Sequence, residues 1–169
     1  MCARVESINP CKHLTHSVRR PENVGVIQSV CYNCGVLKSN KQGENLTVDI
    51  RATCLNCMDG RVQLPVIQWI KKKHKVDFVD VITEAGMDAV LANQDDIHEI
   101  LRSIDISVNI NRSTRLFVVG HFDCRGNPSD QKTHHKQIIT AVKRLKPRWR
   151  RHKINGLWVN RDWQVEVVV

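Results

Sequence analysis

The sequence contains no apolar run approaching the ~18 residues that a membrane-spanning helix needs, so a helical membrane protein is not expected. Its opening stretch, MCARVESINPCKHL, lacks the continuous apolar core of a secretion signal. It has no low-complexity tract and no internal repeat, which argues against both a solenoid and a biased, unfolded chain. These absences together predict a soluble, cytoplasmic protein without a membrane partner. The chain has 169 residues, the size of one domain with a small appendage at roughly 100–200 residues per domain. With 41% hydrophobic and 25% charged residues, it can build a packed core.

Cysteine is not scarce. Seven are present, an odd number, and Cys31/Cys34 and Cys54/Cys57 are both spaced C-x-x-C. Without a secretion signal, that pattern points to metal ligands rather than disulfides. The formal net charge is +9, from 26 Lys and Arg against 17 Asp and Glu. Part of the excess lies in two runs, Lys71–Lys75 and Lys143–Lys153, the second with Trp149 inside it. Such runs can follow a phosphate backbone, with Trp149 as a stacking group, so nucleic acid is one partner to weigh. The plainer reading is a pair of solvated helix ends or loops.

From Leu46 onward, strands and helices alternate. Leu46–Thr53 alternates apolar and polar residues, as a strand does. Val62–His74 has helical spacing, with Pro65 tolerated in the first turn and lysines suited to the C-terminus. Val76–Ile82 reads as a strand and Gly86–Asn93 as a short helix. Asp95–Ile104 is predicted helical, capped by Asp95 or Asp96, with Ile97, Ile100, Leu101 and Ile104 on one face. Arg115–Val119 reads as a buried strand and Gln131–Leu145 as a helix. Ile154–Val159 and Trp163–Val169 read as two strands about an Asn160–Asp162 turn, the last a possible antiparallel edge. This is an α/β pattern, a mostly parallel central sheet flanked by helices. Residues 39–45 read as a linker, dividing a small Cys/His module (1–45) from the α/β domain (46–169).

Two chemical motifs follow two predicted strands: Cys57-Met58-Asp59-Gly60-Arg61 and Gly120-His121-Phe122-Asp123-Cys124. Ligands of open α/β sheets bind beyond the carboxyl ends of strands, so two central strands would bring both motifs together. Two thiolates and one imidazole suit zinc, and three protein ligands leave a fourth position open, as catalytic zinc sites do. The bland alternatives are buried core cysteines and a purely structural Asp59–Arg61 ion pair. Asp123 is expected to shape the loop.

C-x-D-x-R after a first strand and H-x-x-C after a later one resemble the β-carbonic anhydrases. The stretches VQLPVIQWI, VDVITEAGMDAVL, Gly126-Asn127 after GHFDC, and GLWVNRDWQVEVV are similar to the short members of that family, from about Thr53 to Val169. The resemblance implies a catalytic zinc on Cys57, His121 and Cys124, with Asp59 and Arg61 as the catalytic pair beside it. It implies a zinc lyase that reversibly hydrates CO2 to bicarbonate through zinc-bound hydroxide, and a homodimer. COS or CS2 are related substrates. Asp59 would either orient the hydroxide or take the fourth zinc position, and Arg61 would hold it by a bidentate pair. The pattern departs from the larger enzymes at Arg125-Gly126-Asn127, where two glycines are usual, and at the N-terminus, where they carry a helical arm.

The N-terminal module holds Cys11, His13, Cys31 and Cys34, a set that could staple a small fold with a second, structural zinc, as a zinc finger does. A rival grouping, Cys31, Cys34, Cys54 and Cys57, has zinc-ribbon spacing and would make the chain a nucleic-acid-binding protein. A third reading is a non-catalytic zinc protein that keeps the carbonic anhydrase fold.

Overall fold

The computed structural model describes residues 49–169. The N-terminal ligand set Cys11, His13, Cys31 and Cys34, and the linker after it, lie outside the described residues.

Five strands and four α-helices alternate: β1 (Arg51–Cys57), α1 (Gly60–His74), β2 (Phe78–Glu84), α2 (Met87–Asn93), α3 (His98–Asp105), β3 (Arg115–His121), α4 (Gln131–Leu145), β4 (Lys153–Val159) and β5 (Val165–Val167). The strands form one sheet in the order β2-β1-β3-β4-β5. The first four are parallel and β5 pairs antiparallel with β4 at the edge. This is the α/β sheet expected from the alternation of elements, antiparallel edge included.

Burial explains the order. β1 and β3 occupy the middle, and each is buried from its second residue to its last. On one face, Ala52, Cys54, Phe117, Val119 and Leu157 pack under Val62, Val66 and Ile70 of α1. On the other, Leu55, Leu116 and Val118 meet Met87 and Leu91 of α2, Ile104 of α3, and Ala141, Val142 and Leu145 of α4. The connection from β1 through α1 to β2 runs outward, whereas β3 lies on the other side of β1. Strand order therefore reverses at the β1–β3 pair, which opens a crevice at their carboxyl ends.

Several boundaries differ from the sequence reading. β1 runs Arg51–Cys57 rather than Leu46–Thr53, because the buried strand is not amphipathic: Thr53 and Asn56 are as inaccessible as Leu55. β2 is displaced to Phe78–Glu84, and β5 is cut to three residues because Trp163 takes a left-handed turn conformation (φ 58°). α3 begins at His98. Neither Asp95 nor Asp96 is its N-cap, though the Asp96 carboxylate accepts from the His98 N–H at 3.0 Å. After α3 the chain adds an unforeseen π-helical turn, Ile106–Ile110. It is pinned by buried hydroxyls: Ser107 Oγ donates to Asp80 at 2.6 Å and lies 2.7 Å from Thr53 Oγ1.

Candidate metal centre

The carboxyl ends of β1 and β3 bring together the two motifs. Cys57 is the last residue of β1, His121 the last of β3, and Cys124 follows three residues later. Their sulfur and ring-nitrogen atoms lie within 4.8 Å of one another, and all three residues are buried. No other such group of three or more ligating side chains occurs among the described residues.

The donors suit zinc. Cys57 Sγ and Cys124 Sγ are 3.7 Å apart. Two thiolates on one tetrahedral ion at ~2.3 Å each would be about 3.8 Å apart. His121 Nδ1 donates to the Phe122 carbonyl at 2.8 Å, which leaves the lone pair on Nε2. That Nε2 is buried and has no hydrogen-bond partner. A buried acceptor without a partner is costly in a protein interior, and a metal ion would satisfy it.

The local electrostatics favour a thiolate at Cys57. The hydrogen bond with Cys124 pulls the Cys57 thiol well below its ordinary range, with help from His121 and the N–H groups of Gly86 and Asp59. The same contact pushes Cys124 up, against the pull of the Gly126 and Asn127 N–H groups. Burial works against charging His121, but the Cys57 sulfur, the Phe122 carbonyl and Asp59 outweigh it and raise its pKa.

Asp59 and Arg61 stand at the rim. Asp59 is the N-cap of α1, its carboxylate accepting from the Arg61 N–H at 2.9 Å. The Arg61 side chain returns to the same carboxylate, with Nη2 donating to Oδ2 at 2.6 Å and Nε at 3.0 Å. The guanidinium therefore lowers the Asp59 carboxyl to about 2, the direct hydrogen bond being the largest cause. Arg61 also reaches the second motif, donating from Nη1 to Asp123 Oδ2 and from Nη2 to the Asp123 carbonyl, each at 3.0 Å. Asp123 itself sits at φ 54°, a left-handed residue between two of the three donors. One arginine thus ties both loops, and Asp123 has the loop-shaping position expected of it.

A cavity of about 600 Å³ opens beside Cys124, walled in part by Phe122, Arg125, Pro128, Trp158 and Arg161.

Other candidates fare differently. Cys54 is fully buried in the α1 face of the sheet, burial pushes its thiol up, and it is not in the cluster. Its proposed ribbon partners Cys31 and Cys34 lie outside the described residues. Trp149 is 4% exposed, so it is core and not a stacking platform. Arg144 donates to the carbonyls of Leu91, Gln94 and Asp95, and Arg148 pairs with Asp105, so two cations of that run are spent inside the fold. Lys71, Lys72 and Lys73 occupy the last turn of α1, where cations complement the helix dipole.

Sequence reasoning overlooked a buried polar group behind the site. Asp88 of α2, His134 of α4 and Asn127 of the Cys124 loop are 1%, 1% and 5% exposed. The only signals were a carboxylate within the apolar run MDAVL and an asparagine three residues after the second motif.

No curated protein matches the sequence significantly. Among solved structures, one of two tetrameric β-carbonic anhydrases from the filamentous ascomycete Sordaria macrospora is similar, with a TM-score of 0.51 and 11% identity over 70% of this chain and 80% of that one. The β-carbonic anhydrase CcaA matches with a TM-score of 0.52 and 11% identity, over 71% of this chain and 80% of its own. At such identities the likeness is one of fold. Sequence supplies the rest: residues 47–169 match the family model described as "Putative carbonic anhydrase". That match takes in all five strands and both motifs, and the chain belongs to this carbonic anhydrase family.

Proposed function

We propose that the chain is a zinc-dependent lyase that reversibly hydrates CO2 to bicarbonate, with one zinc ion held by Cys57, His121 and Cys124. The observation that carries this reading is the buried Cys-His-Cys cluster with an unpartnered His121 Nε2, set beside the Asp59–Arg61 pair. A zinc ion bound there supplies Lewis acidity, which lowers the pKa of a coordinated water to about 7.

The chain's own residues do the positioning. Arg61 keeps the Asp59 carboxylate ionised and fixes its plane through two donors. An ionised carboxylate there is an acceptor only, so it can hold a proton of an incoming water at one oxygen. The cavity lined by Cys124 would be the side from which a small linear substrate approaches. The N-terminal cysteines and His13 would form a separate module with a structural zinc. Assembly as a homodimer is consistent with Met58 and Leu64, which are 65% and 60% exposed beside the site.

Metal content and stopped-flow CO2 hydration test the reading together. The purified protein is expected to carry zinc, to lose one equivalent in Cys124→Ala, and to hydrate CO2 above the buffer background. Asp59→Asn is expected to keep the metal and lose about 10²-fold or more in rate, the scale of an acid–base group. Zinc-loaded protein without a rate above background leaves a metal protein that is not this enzyme. Unchanged metal content in Cys124→Ala, with a loss in Cys54→Ala, would favour the ribbon grouping.

A further inference from the structure

The buried polar group behind the site has no part in the chemistry described so far. His134 Nδ1 donates to Asp88 Oδ2 at 2.5 Å. The Asn127 amide donates to Asp88 Oδ1 at 3.2 Å and to Gln137 Oε1 at 2.8 Å, and its own oxygen accepts from Ser129 Oγ at 2.8 Å. Three segments meet there: α2, α4 and the loop that carries Cys124.

Each contact leads to a donor of the metal centre. The Asn127 N–H donates to the Cys124 carbonyl at 3.2 Å. Asp88 lies two residues beyond Gly86, in the turn that follows Glu84, which pairs with Cys57 across the sheet and accepts from the Met58 N–H at 3.2 Å. Gly86 and Gly126 are back to back: a Cβ on Gly86 would lie 2.7 Å from the Gly126 carbonyl oxygen, and one on Gly126 would lie 2.7 Å from the Gly86 nitrogen. The Asp88 carboxylate also fills the space over Gly120, where a Cβ would lie 2.7 Å from Oδ2, and Gly120 immediately precedes His121.

We propose that Asp88, His134 and Asn127 form a buried clamp that sets the spacing of the three metal donors by locking the Gly86 turn, the end of β3 and the Cys124 loop to one another. They are positioning residues, and the proposal rests on the metal reading above. A carboxylate suits the centre of the clamp because its lone pairs take donors from two directions. His134 suits α4 because its Nδ1–H reaches across to α2 while its ring packs on Trp158, with centroids 5.0 Å apart. Outer partners of metal ligands typically govern affinity by about 10–100-fold.

Competition with a chromophoric chelator measures zinc affinity, and the absorption spectrum of the cobalt-substituted protein reads ligand geometry. Asp88→Asn keeps the volume and removes one acceptor. It is expected to weaken zinc by about 10–100-fold and to alter the cobalt spectrum. Gln137→Leu removes only a partner of Asn127 on a half-buried surface, and is expected to shift both readouts in the same direction by less. If Asp88→Asn does not fold, Gln137→Leu decides. Wild-type affinity and spectrum in the folded variants would overturn the clamp. Should the wild-type protein take up neither metal, the metal reading fails by itself. Amide hydrogen exchange compared between the metal-free wild type and the folded variants then reads the locking of the three segments by itself: faster exchange in the variants confined to residues 85–88 and 120–127 supports it, and a uniform or absent change overturns it.

Discussion

A methyl group on Gly86 would meet the Gly126 carbonyl oxygen at 2.7 Å, on a residue whose φ of +63° already disfavours a side chain. Gly60, at the start of α1, has nothing within 4 Å of the same methyl. The two glycines should therefore respond in opposite ways. Gly86→Ala is expected to cost about 3 kcal/mol in urea unfolding, from strain and overpacking together. Gly60→Ala should be neutral or stabilising by up to about 1 kcal/mol. The contrast also marks what a sequence can disclose. Cys57, His121 and Cys124 were legible because they stand in short motifs at strand ends, where α/β sheets bind ligands. Asp88, Asn127 and His134 were not, because their pairing depends on how α2 crosses α4, and no spacing along the chain encodes that crossing.

Among the elements, α4 was read residue for residue, Gln131–Leu145. Its cap and its charges are local signals. The Asp130 carboxylate accepts from the Thr133 N–H at 2.7 Å, and Lys143 and Arg144 lie in the last turn. The hydrogen bonds of Thr133 hold the Asp130 carboxyl below the ordinary aspartate range. A depressed folded-state pKa means the cap's ionised form stabilises the protein above the unfolded value, about pH 4. That contribution is lost as pH falls through the lower folded value. Thermal melts from neutral to acid pH should thus show a smaller acid-side loss in Asp130→Asn than in wild type. β1 was misplaced for the opposite reason. Its side chains are buried on both faces, so the polar residues Thr53 and Asn56 lie inside, and alternation along the chain carried no information. The π-helical turn Ile106–Ile110 is likewise non-local, because Ser107 is held by Thr53 and Asp80 from distant strands.

At the scale of the molecule, a mostly parallel sheet with an antiparallel edge was legible in the alternation of elements, whereas the order β2-β1-β3-β4-β5 depends on which strands bury both faces and was not, and the positive charge did not report a function on its own. Arg61, Arg144 and Arg148 pair with carboxylates and carbonyls of the same chain at its surface. The reach of one contact is longer. The two sulfurs that stand 3.7 Å apart belong to residues 67 positions apart in the chain. On the metal reading proposed above, an ion gripped by both binds the folded chain and stabilises it by mass action, by about 4 kcal/mol when free metal stands a thousandfold above its dissociation constant. Removing zinc with a chelator should accordingly lower the melting temperature by roughly 10 °C, and Cys124→Ala should melt low with or without added metal. The same contact makes metal uptake a reporter of tertiary structure: His121 and Cys124 share one loop, but Cys57 joins them only where β1 and β3 lie side by side, so ligation by all three residues reads the pairing of those two strands.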